Sequence, residues 1–336
     1  MKAMLLNKIA PIEKKPLELA DLPNPVPDDN QILIKVSVCG VCHTDLDEIE
    51  GRLIPPKLPV VPGHQIVGTI EKIGKNVNKF NINDRVGITW LYSTCGNCSF
   101  CQNENENLCN NAKWTGKDAN GGYAEFMVIH QDFAFHIPEK FSDIQVAPLL
   151  CAGVIGFRAV KLAKINNGQV IGLFGFGASA HIVIQIVKYL FPDCPVFVFT
   201  RSNEHQQLAK TLGAHWTGSP ASRPPEKIDI AIDFTPIGET IKTALELLNK
   251  GGRLVINAIR KTTAIPQMDY TKHLWLEKQI QSVANVTRQD AAQLLPLAAK
   301  IPIITQVKQF ELNQANQVLT LVKQAKIQAA AVLKVS

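Results

Sequence analysis

Four of the chain's eight cysteines stand close together, at Cys95, Cys98, Cys101 and Cys109. Four thiolates at this spacing can close a tetrahedron around Zn²⁺, and Gly96 and Asn97 permit the tight turn between the first two. A four-cysteine set leaves no coordination position open. The chemistry it implies is therefore structural: an ion cross-links a loop with too few apolar residues to pack alone. An iron–sulfur cluster competes for the same donors, and unliganded thiols are the third alternative.

A second set is dispersed. Cys42 lies in Gly40-Val41-Cys42-His43-Thr44-Asp45, a strand-to-helix turn. His64 lies in Pro62-Gly63-His64-Gln65, where glycine allows close backbone approach, and Cys151 lies in Cys151-Ala152-Gly153-Val154. Taken singly, a cysteine is often a small core hydrophobe and a loop histidine is unremarkable.

A third pattern is Gly175-Phe176-Gly177-Ala178-Ser179-Ala180, placed between an apolar run and a helical pattern. It reads as a dinucleotide turn. The first glycine makes the turn, the second lets a pyrophosphate approach the backbone, and the small Ala180 allows helix–strand packing. The phosphates then meet a helix N-terminus. The next apolar run ends in Thr200-Arg201-Ser202. It carries no carboxylate to bond a ribose 2′-hydroxyl or repel a 2′-phosphate, while Arg201 offers a charged fork and Thr200 and Ser202 offer hydroxyls. The expected cofactor is NADP(H) in preference to NAD(H).

These residues need scaffolds of two kinds. Before Cys151, β-type runs such as Gln31–Val38, Ile66–Ile73 and Gly122–Ile129 alternate with turns rich in proline and glycine, predicting a largely antiparallel, partly barrel-like domain. After it, strands at Val170–Phe174, Val196–Phe199, Ile228–Phe234, Arg253–Ala258 and Ile280–Ala284 alternate with helices at Ser179–Leu190, Glu204–Leu212 and Ile237–Leu248. That order predicts a parallel sheet covered on both faces. In the tail, Asn313 is expected to cap a helix through Lys326, and Ala329–Val335 reads as a final strand returning to the first domain. A length of 336 residues suits two domains. The net charge of +6 is spread along the chain without a basic block, which argues against a nucleic-acid partner. No apolar run has signal-peptide or membrane-span length, so the expectation is a cytoplasmic protein with no membrane partner.

Together the motifs resemble those of the zinc-containing medium-chain alcohol dehydrogenases, over essentially the whole chain and in the family's order. The resemblance implies an α/β fold: a Rossmann doubly wound parallel sheet over residues 153–284, and a GroES-like, mostly β catalytic domain from residues 1–152 and 285–336. It implies two zinc ions per chain. Cys42, His64 and Cys151 would hold a catalytic zinc whose fourth position faces substrate, and Cys95, Cys98, Cys101 and Cys109 would hold the structural one. Thr44 resembles the hydroxyl that takes the substrate proton, with His43 near the cofactor phosphates. Asp45 resembles the carboxylate that orients the zinc-bound histidine. Helix capping is the competing reading of Thr44 and Asp45, and it is compatible with those roles.

The sequence also departs from the family. Asp47 stands where relatives end a proton relay in histidine, so the proton leaves through Asp47, through His43 or directly to water. Gln65 replaces a glutamate, and Ala329-Ala330-Ala331 replaces the stretch that supplies that glutamate's arginine partner. Losing both avoids a stranded charge. The expectation is a working site with altered electrostatics around the metal. Leu53, Trp90 and Trp114 would line an apolar substrate pocket, with core packing as the alternative. Ile155 replaces a threonine beside the nicotinamide, and Cys39 and Cys194 are left as buried thiols. The activity implied is reversible hydride transfer between NADP(H) and a small primary alcohol or aldehyde, in a homodimer or homotetramer. A dehydrogenase of polyols and a catalytically decayed cofactor-binding sensor are the rival readings.

Overall fold

The computed structural model describes residues 1–301, 303–327 and 330–336. Its contacts divide the chain into two compact units. One comprises Met1–Cys151, Asn285–Ala299 and Ile304–Ser336, the other Ala152–Ala284 and Lys300–Ile303.

The first unit is built on Gln31–Val41, an eleven-residue strand of β-branched and apolar residues. It pairs antiparallel with Gln65–Ile73, with Phe126–His130 and with Ala330–Lys334. Arg85–Ile88 and Ala134–His136 extend the sheet on one side, and Val307–Glu311 on the other. Two register lines matter for chemistry. Gly40 lies opposite Gln65, the neighbour of His64, and Cys42 follows the strand's last residue as the N-cap of helix His43–Ile49. A strand end thus delivers one thiol and a strand start delivers one imidazole to the same edge of the sheet.

The expected strand over Gly122–Ile129 begins only at Phe126. The reason is a second use of its first residues. Gly121, Gly122 and Tyr123 donate backbone hydrogen bonds to Val61, Gly63 and Pro62 at 2.7, 2.9 and 3.0 Å, docking onto the His64 loop. Gly63 itself has φ +96°, and a Cβ there would sit 2.3 Å from the Tyr123 ring, so only glycine fits.

The second unit carries six parallel strands among the described residues, in the order Trp216–Gly218, Val196–Phe199, Ile171–Phe174, Ile228–Asp233, Leu248–Ile256, Gln279–Ser282. This is the expected doubly wound sheet, its order reversing between Ile171–Phe174 and Ile228–Asp233. The central strands are short apolar runs buried along their whole length, as a sheet covered on both faces requires. Helix Ala180–Leu190 packs with them through Ala180, Val183, Ile184 and Val187.

Several expected boundaries move. The fifth strand starts at Leu248, directly after helix Glu239–Leu247, and ends at Ile256. In the tail, Asn313 lies within a 3₁₀ turn and is not the cap. Glu311 and Gln314 form the capping box of that turn, and Gln314 precedes helix Ala315–Lys323. The final strand spans Ala330–Lys334, and Ala329 lies outside the described residues. Helices Ala152–Ala163 and Arg288–Lys300 went unanticipated. Among the described residues, no single helix is long and apolar enough to cross a membrane.

One buried ion pair stands at the point where the parallel sheet reverses. Asp233 is fully buried and accepts from Lys261 Nζ at 2.6 Å, and from Thr235 and Thr240 hydroxyls at 2.8 and 3.1 Å. Lys261→Met should cost on the order of 3–5 kcal/mol, because it strands a buried carboxylate. A urea titration that finds under about 1 kcal/mol would show that the two threonines suffice.

Candidate metal and nucleotide sites

Cys95, Cys98, Cys101 and Cys109 converge as four free thiols. Cys95 and Cys109 sulfurs are 3.5 Å apart, Cys98 and Cys101 3.6 Å, and Cys95 and Cys101 3.9 Å. A tetrahedral ion with metal–sulfur bonds of about 2.3 Å needs sulfurs about 3.8 Å apart. The cage therefore fits zinc and excludes a disulfide, whose sulfurs bond at about 2.05 Å. Backbone N–H groups of Asn97 and Cys98 hold the Cys95 thiol down at about 6, favouring the thiolate a metal requires.

The second cluster brings together residues far apart in sequence. Cys42 Sγ is 3.4 Å from His64 Nε2, 22 positions on, and 4.0 Å from Cys151 Sγ, 109 positions on. The three donors fit three vertices of a zinc tetrahedron, for which edges of about 3.6 Å and 3.8 Å are expected, and among the described residues no fourth His, Cys, Asp or Glu joins the group. Hydrogen bonding to Cys151, then burial, pushes the Cys42 thiol well up when only protein surrounds it. A divalent cation would reverse that preference.

Asp45 caps its own helix and faces His64. Its Oδ2 accepts the Cys42 N–H at 2.8 Å, closing a capping box, while Oδ1 lies 3.1 Å from His64 Nδ1. Both side chains are fully buried. The cap acceptor for Thr44 N–H is the Cys42 sulfur, at 3.4 Å, which leaves the half-buried Thr44 hydroxyl to other partners. His43 is exposed on the same turn. Asp47 is buried and ion-paired with Arg52, which also binds Glu50 at 2.6 Å. Gln65 is buried, its side chain lying over Gly40 where a Cβ would meet Oε1 at 2.7 Å. From the final strand, Ala330 and Ala331 contribute only buried apolar surface.

One acid at this site escaped the reading of the sequence. Glu48 is fully buried, accepts Trp90 Nε1–H at 2.9 Å through Oε1, and lies in a compact group with Asp45 and His64. Burial pushes its carboxyl up to about 8 against the pull of His64. Its position three residues past Asp45, between the buried Leu46 and Ile49, was the available signal.

In the second unit, Gly175 has φ +83° and its N–H reaches Phe199 O at 2.8 Å, turning the chain where the strand order reverses. Around Gly177 nothing would lie within 4 Å of an added Cβ, so the backbone there is open to a ligand. Ala178 and Ser179 continue the turn, and Ala180 is fully buried as the packing residue of the next helix. The buried His181 ring places Nδ1 3.2 Å from Gly177 O, bracing the turn. Of the next strand's end, Arg201 is exposed, and Ser202 Oγ caps helix Asn203–Thr211 through His205 N–H at 3.2 Å. Thr200 is buried, its N–H bonded to Gly218 O at 2.8 Å. The positive end of the helix dipole and one guanidinium therefore meet at this corner.

The alcohol dehydrogenase GroES-like domain family matches residues 28–139, and the zinc-binding dehydrogenase family matches residues 180–300. The chain is 40% identical to a probable alcohol dehydrogenase, AdhA, of Mycobacterium tuberculosis, over 99% of this chain and 97% of that one. It is 32% identical to an alcohol dehydrogenase of Geobacillus stearothermophilus, over 99% of both chains. A cinnamyl alcohol dehydrogenase structure from Sorghum bicolor shares the fold with a TM-score of 0.89, at 23% identity over 99% of this chain and 97% of that one.

Proposed function

We propose that this chain, which belongs to the zinc-type medium-chain alcohol dehydrogenase family and is an oxidoreductase, is an NADPH-preferring reductase of small aldehydes that also runs as a primary alcohol dehydrogenase. The observation that carries the proposal is the Cys42–His64–Cys151 triangle, three donors at zinc-like spacing that no fourth His, Cys, Asp or Glu among the described residues joins. A zinc ion held there would act as a Lewis acid, polarising a carbonyl or lowering the pKa of an alcohol. Asp45 orients the His64 ring and fixes which nitrogen faces the metal. Thr44 holds the substrate hydroxyl proton, and His43 or Asp47 takes it onward. The pairing of Asp47 with Arg52 makes His43, on the exposed side of the turn, the shorter way to water. The four-cysteine cage would hold a second zinc that only ties its loop.

The backbone around Gly175, Gly177, Ala178, Ser179 and Ala180 receives the pyrophosphate. Arg201 and Ser202 receive the 2′-phosphate, where Ser202 can accept from His205 and still donate its own proton. Thr200 is buried, with its N–H bonded to Gly218 O and its carbonyl accepting from Gln206, so its role is to hold Arg201 and Ser202 in place. Arg201→Ala should lower kcat/KM with NADPH about 10- to 100-fold and leave NADH within about twofold, as expected for loss of a charge-assisted contact. Equal loss with both cofactors would sink the assignment. The function itself is tested by following nicotinamide absorbance with a panel of aldehydes, NADPH against NADH, with and without a zinc chelator. Chelator-sensitive turnover favouring NADPH is expected. No turnover from protein holding both zincs would count against it.

The edge strand Gln279–Ser282 is exposed, and Tyr270, Trp275 and Leu276 nearby are exposed too. Such an edge invites pairing with a second copy, and we read the protein as a homodimer or a dimer of dimers. The eight free thiols fit a reducing compartment, and the cytoplasm is our reading.

A further inference from the structure

Glu48 has no part in the proposed chemistry, yet its setting is costly. It is fully buried, and Oε1 has one hydrogen bond, from Trp90 Nε1–H at 2.9 Å. Oε2 is buried without a hydrogen-bond partner. A side chain kept only for packing between Leu46 and Ile49 would be apolar, because burying a carboxyl with one partner is unfavourable. What the carboxyl does hold is an aromatic wall. Trp90 stacks on Trp114, with centroids 4.8 Å apart and planes at 29°. The Trp90 ring centre also lies 6.0 Å from that of His64. Both tryptophans are half-buried, so the stack is neither core nor free surface. Helix His43–Ile49 therefore starts from Cys42, carries Asp45 to His64, and through Glu48 grips the ring beside His64.

We propose that Glu48 is a positioning residue for substrate selection: its carboxyl oxygen fixes the Trp90 indole, and with it the Trp90–Trp114 wall, relative to the metal-ligating His64. The inference rests on the proposed function for its kinetic readout. A loose indole can rotate about χ2 and cover or vacate the space next to the site, whereas an indole tied at its N–H keeps one face where a substrate's body would lie. The consequence is selectivity between flat and small substrates, with little effect on the chemical step.

Glu48→Gln and Glu48→Met separate the roles. The two side chains have nearly the same length and neither is charged, but the amide oxygen is a strong acceptor for the indole N–H and the thioether sulfur only a weak one. Two readouts apply: the ratio of kcat/KM for benzaldehyde to that for acetaldehyde, with zinc content checked, and the indole N–H hydrogen-bond band in ultraviolet resonance Raman spectra. E48M should change the ratio about tenfold, mostly through KM, and lose the bonded-indole signal, as expected for one hydrogen bond to a buried acceptor. E48Q should keep the ratio within about twofold and retain the signal. Equal behaviour of the two variants, in either readout, overturns the proposal. If the parent reduces neither aldehyde, it is the proposed function that fails, and the Raman comparison still decides the role of Glu48.

Discussion

Cys151→Ala is expected to leave one zinc per chain in place of two and to lower kcat/KM for aldehyde reduction by about 10³-fold or more. The triangle of Cys42, His64 and Cys151 offers three donors, and two donors hold zinc poorly against solvent. Losing the ion removes several kcal/mol of charge stabilisation, and each 1.4 kcal/mol or so is a factor of ten. The substitution removes a half-buried side chain at the end of the first unit, so the midpoint of thermal unfolding should stay within a few degrees of the parent. Metal analysis by mass spectrometry and steady-state kinetics on one preparation check both parts. Two retained zincs with full turnover would remove Cys151 from the site.

Cys109→Ser should show the opposite pattern. The cage ties together a loop with little apolar burial: Cys109 is buried, while Phe100 and Leu108 are exposed. Some anchors remain. Leu91 pairs with Trp114 across the base, and Arg288 binds Glu106 at 3.1 Å. Leu91 and Glu106 are buried, so these anchors hold the base of the loop and leave the rest of it to the cage. Structural zinc contributes about 10–16 kcal/mol of apparent free energy in small zinc peptides. Losing even a third of that would lower the melting temperature by roughly 5–7 °C in a chain of this size. The variant should therefore hold one zinc, melt early, and be cut by protease between Cys95 and Ala112. Below its melting point it should retain most of its turnover, because Cys42, His64 and Cys151 are a separate set of donors. Parent-like melting with a single zinc would show that the loop needs no ion.

The two variants differ in which quantity they move, and that difference follows from coordination alone. A closed set of four thiolates can only bind and brace. An open set of three donors can also present the ion to a substrate.

Local signals carried much of this molecule. The spacing of Cys95, Cys98, Cys101 and Cys109 needs no long-range information, since four donors within one loop can meet around one ion. The short apolar runs Ile171–Phe174, Val196–Phe199 and Ile228–Asp233, each followed by a helix, sufficed for the doubly wound sheet, because parallel strands require crossovers. Gly175 and Gly177 were legible because backbone conformation and room for a ligand depend on side-chain size at one position.

Other features were not local. Gly122 and Tyr123 read as the start of a strand, and only the fold revealed that their N–H groups serve the loop before His64. Asn313 was a sound cap by type, but Glu311 and Gln314 form the capping box instead. Glu48 was not singled out by the sequence. Its burial, and its bond to an indole 42 positions later, depend on which face of that helix the sheet covers. The sequence by itself determined which groups could bind metal and nucleotide, because donor type and turn-forming residues are properties of single positions. The tertiary structure alone decided which carboxyls are buried and what each one holds, because those are properties of elements packed together; the grouping of Cys42, His64 and Cys151 was implied by the family resemblance, and packing is what brings the three donors within reach of one ion.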